Sequence, residues 1–177
     1  MSELTHSFER TLVIEAPRNV VFRFLTDSGR WASWWGAGSS IDARPGGSVV
    51  IRYPNGVQVL GEVIEIEEPE RIVFTYGYES GKPIPPGASQ VTIRLEMTAS
   101  GTRLHLKHAF AEAEVRDQHV AGWRFQLSVF ANLVANELHA GAASVVDSWF
   151  ASWSIRDAPE RARSLAAIAA SGIRFRD

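Results

Sequence analysis

Residues 102–138 read TRLHLKHAFAEAEVRDQHVAGWRFQLSVFANLVANEL, and their hydrophobic period changes partway along. Up to Phe110, apolar and polar residues alternate, which is typical of a half-buried strand. From residue 112 to residue 139, apolar residues recur every three to four positions, with no proline and a single glycine, Gly122. The stretch therefore predicts a strand followed directly by a long helix.

The residues before this stretch carry further strand patterns separated by turn residues. Alternation begins at residues 8–15, and two short helical patterns follow, the second holding Trp31, Trp34 and Trp35 within five positions. Five more strand patterns then precede the quoted one, at residues 39–43, 48–53, 57–68, 71–78 and 91–98. This order predicts an α+β fold, with a curved antiparallel sheet of six to seven strands around a long C-terminal helix.

Single residues within this pattern make more local predictions. At Gly61 the apolar parity of its strand changes, which predicts a β-bulge or bend at that residue. Gly122 costs about 1 kcal/mol relative to alanine in a helix, and we interpret it as allowing close approach to the sheet or to Trp35. Alternation places four residues of one strand on the inward face: Val91, Ile93, Leu95 and Met97.

Composition limits the class of protein. The 177 residues are 45% hydrophobic and 21% charged, which is typical of a globular chain, and a net charge of -2 argues against nucleic-acid binding. The absence of cysteine excludes disulfides, thiolate metal sites and a cysteine nucleophile. The polar N-terminus lacks a signal-peptide pattern, and no segment reaches the ~20 apolar residues that span a bilayer. We therefore expect a cytoplasmic protein without a membrane span.

Four segments together resemble a known superfamily. They are VIEAPRNVVFRFLTD at 13–27, WASWWG at 31–36, GEVIEIEEPERIVFTY at 61–76 and HVAGWRFQLSVFANLVANEL at 119–138. In this order they resemble the START-like, Bet v 1-type (SRPBCC) superfamily, and within it the branch named after the activator of Hsp90 ATPase homologue 1. The resemblance covers about residues 6–138. It implies a helix-grip fold with an apolar cavity between the sheet and the long helix.

The resemblance also implies where a ligand would lie. The second short helix closes one end of the cavity in such folds, so its tryptophans would be partly core and partly wall, with Trp35 nearest the cavity. Adding the inward-facing residues of the strands and the long helix, we expect seven ligand contacts: Trp35, Tyr76, Tyr78, His108, Phe110, His119 and Trp123.

Two histidines are the candidates for chemistry at this cavity. His108 lies on the apolar face of its strand, and His119 precedes Trp123 by one helical turn. Imidazole titrates near neutral pH and can act as an acid or a base, or bind a carboxylate, hydroxyl or carbonyl. The alternative is that both histidines are hydrogen-bonded to backbone or water. Glu112 and Glu114 fit no metal signature, so we expect neither a metal nor a cofactor.

Three functions remain open at this point. The first is binding of an apolar small molecule, lipid-like or polyketide-like. The second is an enzyme of cyclase or hydrolase type in the same cavity, with His108 or His119 as the acid–base group. The third, suggested by the family name, is a protein-interaction module that stimulates a chaperone ATPase. This chain has no counterpart of the N-terminal domain that eukaryotic activators carry, which weakens the third.

The tail falls outside the resemblance, and we expect domains at residues 1–140 and 141–177. One helical stripe contains Val145, Val146, Trp149, Phe150 and Trp153, and DAPE at 157–160 predicts a capping box at the start of a second helix. With a strand pattern at 173–177, the tail resembles the start of an NTF2-like (SnoaL-type) domain. It is either the beginning of a longer second domain or a helical appendage. We expect its aromatic residues to dock on the first domain or, as a homodimer, on a second copy.

Overall fold

The computed structural model describes residues 3–170, except for the side chains of residues 140–144, 169 and 170. The chain divides into two compact units, one up to Ala135 and one from Asn136, which we call the first and second units. The cavity and all the candidate site residues discussed below belong to the first unit.

The elements confirm the predicted α+β class and element order. The strands are β1 His6–Ile14, β2 Ser40–Ile41, β3 Ser48–Arg52, β4 Gln58–Glu67, β5 Arg71–Tyr78, β6 Ser89–Thr98 and β7 Gly101–Phe110. The helices are α1 Arg18–Thr26, α2 Ser28–Trp35, α3 Ala113–Trp153 and α4 Ala158–Ala170. Every strand pairs antiparallel with its neighbours, in the order β1-β7-β6-β5-β4-β3-β2.

The sheet follows the chain from β2 to β7, and β1 then adds at the β7 edge. Hairpin connections account for the order from β2 to β7, because antiparallel strands close in sequence pair through short turns. In β7, His108 pairs with Phe8 of the edge strand β1 and with Val91 of β6, so it lies on an interior strand. The His108 side chain is fully buried.

The helix α3 is longer than the sequence pattern indicated. We expected one helix over residues 112–139 and a separate helix in the tail, whereas α3 continues without interruption to Trp153. Gly141 is the only glycine near the expected break, and it is flanked by alanines. A glycine costs about 1 kcal/mol relative to alanine in a helix, which is too little to end a helix in alanine-rich surroundings.

Two local predictions in the sheet were wrong. Met97 is 72% exposed rather than inward-facing, because alternation identifies a face of the strand but not where the covering layer ends. The irregularity in β4 lies between Val63 and Glu65, not at Gly61, and it leaves Ile64 exposed. Gly61 has another role: a Cβ there would lie 1.8 Å from the Thr75 carbonyl oxygen, so only glycine fits against β5.

The second unit contains the end of α3 and the helix α4. The Asp157 carboxylate accepts a hydrogen bond from the Glu160 backbone N–H at 2.9 Å, which confirms the predicted N-cap. Trp149 stacks edge-on against Phe150 and Trp153, with ring centroids 5.5 Å apart in each case, and all three are exposed. Their docking on another surface stays a prediction, and the strand pattern at 173–177 lies outside the described residues.

Candidate functional site

A cavity of about 320 Å³ lies in the first unit, between the sheet and the early turns of α3. The end of α2 contributes Trp35, and the hairpin loop between β3 and β4 contributes Tyr53. The strand β5 contributes Tyr76 and Tyr78, which alternation places on the same face. The cavity is therefore walled mainly by aromatic side chains from four separate segments of the chain.

Five of the seven expected ligand contacts line this cavity, namely Trp35, Tyr76, Tyr78, His119 and Trp123. The other two, His108 and Phe110, lie behind the wall. The rings of His108 and Phe110 stack on each other with centroids 3.9 Å apart, and both side chains are completely buried. The structure thus brings all seven residues into one cluster, but only five of them reach the surface of the cavity.

His108 has a hydrogen bond at each ring nitrogen. Trp123 Nε1 donates to His108 Nδ1 at 2.8 Å, and because an indole nitrogen can only donate, Nδ1 carries no proton. The proton of the neutral ring is then on Nε2, 2.8 Å from Ser89 Oγ, and that hydroxyl donates in turn to the Tyr76 carbonyl. His108 is therefore a neutral structural link between α3 and the sheet.

Burial keeps His108 uncharged. It lowers the pKa of His108 well below the ordinary value of 6.5, and the nearby His119 ring lowers it further. With both nitrogens bonded and no access to the cavity, His108 orients Trp123 rather than transferring protons. The partners of His108 are therefore two side chains, and not the backbone or water that the alternative interpretation named.

His119 has the opposite tautomer and reaches the cavity. Its Nδ1 lies 2.7 Å from the Val115 carbonyl oxygen, which can only accept, so Nδ1 carries the proton. The bare Nε2 then accepts from the Tyr78 hydroxyl at 3.1 Å. Burial lowers the pKa of His119, and the bond to the Val115 carbonyl offsets part of this shift. His119 is therefore neutral near pH 7.

Two further hydroxyls pair at the cavity wall, next to Tyr78 and His119. Tyr53 and Tyr76 have their oxygens 3.1 Å apart, so one of their two protons lies between them and the other can be given to a third group. The Tyr78 hydroxyl is one such group, because its hydrogen bond with Tyr76 contributes to the pKa shift of Tyr76. Burial raises the pKa of Tyr53 to about 12 and raises the pKa of Tyr76 well above 10. Neighbouring tyrosine hydroxyls add to the rise at Tyr76. These phenols stay protonated and serve as donors, not bases.

The three tryptophans of α2 have different surroundings. Trp31 Nε1 donates to the Val50 carbonyl at 3.2 Å, and Trp34 Nε1 donates to the Phe24 carbonyl at 3.0 Å. Trp35 Nε1 is buried and has no hydrogen-bond partner among the described residues. Trp31 and Trp34 are therefore core residues whose indole N–H groups are hydrogen-bonded, whereas Trp35 lines the cavity and its own indole N–H has no partner among the described residues.

Six cavity residues were missed by the sequence analysis. Three belong to the hairpin loop between β3 and β4, and no sequence signal showed that this loop would lie beside β5. The other three occur at spacings of four on α3, next to the His119 and Trp123 positions, and this helical row was a usable signal. They are Tyr53, Asn55, Val57, Gln118, Gly122 and Gln126.

The cavity wall has no formal charge. None of the described residues that line it is Asp, Glu, Lys or Arg, and its one histidine is neutral. In the part of the chain that the structure describes, no three His, Cys, Asp or Glu side chains are grouped so that they could hold a metal ion. No helix among those residues is long and apolar enough to cross a bilayer.

Comparisons with known proteins agree with this architecture. The sequence model of the family described as "Activator of Hsp90 ATPase homolog 1-like protein" matches residues 15–135. The solved structure of MLL2253 from Mesorhizobium loti is 20% identical with a TM-score of 0.65, over 74% of this chain and 98% of its own. CalU16 from Micromonospora echinospora is 27% identical with a TM-score of 0.61, over 76% of this chain and 79% of its own.

A third similar structure covers less of its own length. DynU16, from the dynemicin biosynthetic locus, is 21% identical with a TM-score of 0.63, over 74% of this chain and 48% of its own. At this identity the likeness shows the fold alone. No curated protein matches the chain.

Proposed function

Because the chain belongs to the Activator of Hsp90 ATPase homolog 1-like family, as its sequence motifs predicted, we propose that it binds a small, uncharged, largely apolar molecule in its cavity. The observation that carries this proposal is the wall itself, which is aromatic and without charge. The matched residues 15–135 include the entire cavity lining.

The missing charge narrows the ligand class. An anion or cation entering the cavity loses its hydration, and burying an unpaired charge costs far more than burying a paired or neutral polar group. The lining offers no formal counter-charge, and its histidine is neutral. Neutral ligands are therefore favoured over carboxylates, phosphates and amines.

Gly122 supports an open cavity. It lies in the interior of α3 and lines the cavity, and a Cβ built there meets no heavy atom within 4 Å. Our interpretation that this glycine allows close packing was wrong, because the space beside it is empty. Glycine at this position therefore costs about 1 kcal/mol of helix stability and gains no packing contact in return. A glycine that keeps the mouth of the cavity open for a ligand accounts for this cost.

Size and polarity refine the proposal. Ligand sites range over about 300–1,000 Å³, and a cavity of about 320 Å³ lies at the lower end. One or two fused rings suit this volume better than a long acyl chain. The polar groups that could orient such a ring are few: the Tyr78 hydroxyl, the spare proton of the Tyr53–Tyr76 pair and the glutamine amides.

An enzyme of cyclase or hydrolase type is the second candidate. The observation that favours it is the Tyr78–His119 hydrogen bond at the cavity wall, where a hydroxyl and an imidazole are joined beside the space a substrate would occupy. His108 does not support this candidate, because it is sealed behind the wall with both nitrogens bonded.

Calorimetric titration with two matched probes tests the binding proposal. Neutral 2-methoxynaphthalene is expected to bind at least about tenfold more tightly than the anion 2-naphthoate, which corresponds to about 1.4 kcal/mol. Gly122→Leu places a side chain at the cavity mouth and is expected to weaken 2-methoxynaphthalene binding at least about tenfold. The matched control is Ala121→Leu, at an exposed neighbour outside the lining, which should bind like the wild type.

Two results would contradict the proposal. One is 2-naphthoate binding as tightly as the neutral probe. The other is unchanged binding by the Gly122→Leu variant when its thermal unfolding shows it to be folded. Native mass spectrometry of freshly purified protein adds a probe-free measurement, since a co-purified neutral molecule would appear as a mass shift that Gly122→Leu removes.

A further inference from the structure

We propose that His119 fixes the Tyr78 hydroxyl as a hydrogen-bond acceptor, so that the cavity selects neutral ligands that donate an O–H, such as phenols and alcohols. This inference rests on the proposed function and deepens it. It follows from the positions of the protons along a chain of three groups: the Val115 carbonyl, the His119 ring and the Tyr78 hydroxyl.

The first step fixes the proton of His119. The Val115 carbonyl oxygen has no hydrogen to give, so the 2.7 Å contact exists only if His119 Nδ1 carries the proton. A neutral imidazole has one ring proton, and His119 is buried among aromatic rings that favour the neutral form. Its Nε2 is therefore a bare acceptor directed at Tyr78.

The second step fixes the proton of Tyr78. Nε2 has no hydrogen, so the 3.1 Å contact requires the single phenolic proton of Tyr78 to point at His119. The Tyr78 oxygen then has only lone pairs left: one can accept from the neighbouring Tyr76 hydroxyl, and the other is available to a ligand in the cavity that Tyr78 lines. A ligand O–H can donate a hydrogen bond to the Tyr78 oxygen. A carbonyl or ether oxygen has no proton to donate, so it forms no hydrogen bond with Tyr78.

The third step asks which other groups discriminate between donors and acceptors. Asn55, Gln118 and Gln126 have amides that both donate and accept, so they fit either kind of ligand. The Tyr53–Tyr76 pair has one further proton, which either the Tyr78 oxygen or any ligand oxygen can accept, including that of an ether or a phenol. Among the described lining residues, Tyr78 is therefore the group that favours ligands with a hydrogen-bond donor over ligands without one.

A matched pair of probes isolates this effect. 2-Naphthol and 2-methoxynaphthalene share the same rings and the same oxygen, but naphthol has a proton to donate where the ether has a methyl group. The Tyr78→Phe variant controls for the added methyl group, because it removes the acceptor and leaves both probes unchanged. Near neutral pH the wild type is expected to bind 2-naphthol about tenfold more tightly, the effect of one hydrogen bond of about 1.4 kcal/mol. Tyr78→Phe removes the acceptor, and the two probes should then bind within about twofold of each other.

Two further variants separate a hydrogen-bond role from a merely structural one. His119→Leu releases the Tyr78 proton, so Tyr78 can donate to an ether, and the ratio between the affinities of the two probes should fall. Ala121→Leu, at an exposed position outside the lining, should leave the ratio between the affinities of the two probes as in the wild type. Thermal unfolding of each variant identifies those that remain folded.

The outcomes distinguish this inference from the proposed function. Equal binding of the two probes by the wild type would overturn the inference and leave the proposed function standing. A gap that persists in folded Tyr78→Phe would also overturn it, because another group would then be the acceptor. Binding of neither probe would count against the proposed function itself, and the inference would fall with it.

Discussion

The space between the sheet and α3 has two ends that use the same residue types differently. At the packed end, Trp31 and Trp34 meet Phe74 and Phe130 edge-on, with ring centroids 5.0–5.6 Å apart. At the cavity end, Trp35 packs edge-on against Trp123 and Tyr53, with ring centroids 5.5 and 6.0 Å apart, and these three rings border the cavity of about 320 Å³. One turn of α2 supplies tryptophans to both ends, so residue type alone does not decide whether a core is solid or hollow.

Hydrogen bonding separates the two ends more sharply than packing does. Indole nitrogens at the packed end donate to backbone carbonyls, which uses up their hydrogen-bonding capacity. At the cavity end, side chains bond mainly to one another, as in the Tyr53–Tyr76 and Tyr78–His119 pairs. Such pairs leave lone pairs and one spare proton, which a ligand can use. The cavity end is thus organised around hydrogen-bonding groups that are incompletely paired.

The largest expected effect tests the packed end. Phe130→Ala removes a fully buried ring that contacts Phe24 and Trp34, and it should lower the free energy of unfolding by about 3–5 kcal/mol. Urea unfolding followed by tryptophan fluorescence measures this change. Tyr78→Phe, which deletes one hydroxyl at the cavity end, should cost about 1 kcal/mol. Comparable losses for the two variants would show that the ends do not differ as described.

The sequence predicted the fold well because periodicity reports directly on which face of an element is buried. The alternation in residues 102–110 and the helical period after residue 112 both reappear as β7 and α3. Periodicity does not show where the layer of helices that covers the sheet ends, and for this reason Met97 was wrongly predicted to be buried. It also does not register that a single glycine is too weak to end α3 near residue 141.

The site was less predictable, because a residue on the inward face can lie either at the cavity surface or behind it. Alternation correctly turned His108 inward, but only coordinates show that Trp123 lies between His108 and the cavity. Tyr53 reaches the cavity because the β3–β4 hairpin loop lies beside Tyr78, a contact set by the pairing of Val59 with Tyr78. Pairing between strands distant from a motif is not encoded in the motif, so these residues were missed.

A smaller expected effect is the response of stability to pH. His108 and His119 are buried and neutral, and burial lowers the pKa of each below the ordinary 6.5. As pH falls below about 6.5, the unfolded chain binds protons that the folded chain excludes, so stability decreases, by up to about 1.4 kcal/mol per pH unit for His108 and by less for His119, whose pKa is lowered less. Above about 6.5, neither histidine contributes to the pH dependence.

Urea unfolding at several pH values separates the contribution of His108 from that of the carboxylates. His108→Phe keeps an aromatic ring against Phe110 and removes one titrating group, so its stability should depend less on pH between about 5 and 6.5 than that of the wild type. The titratable groups that face His108 are His119 and Tyr76, and burial lowers the pKa of His119 and raises that of Tyr76. An identical slope in both proteins would mean that His108 is protonated in the folded state.

The smallest expected effect is that of Gly122→Ala at the cavity, which we compare with Gly61→Ala in β4. Gly122→Ala adds a methyl group where no heavy atom lies within 4 Å, so it should raise the free energy of unfolding by up to about 1 kcal/mol through helix propensity. Gly61→Ala should do the reverse, because its Cβ would lie 1.8 Å from the Thr75 carbonyl oxygen. Urea unfolding of both variants gives the signs. A destabilising Gly122→Ala would mean that this glycine is required by the fold, and the open mouth of the cavity would then need no ligand to account for it.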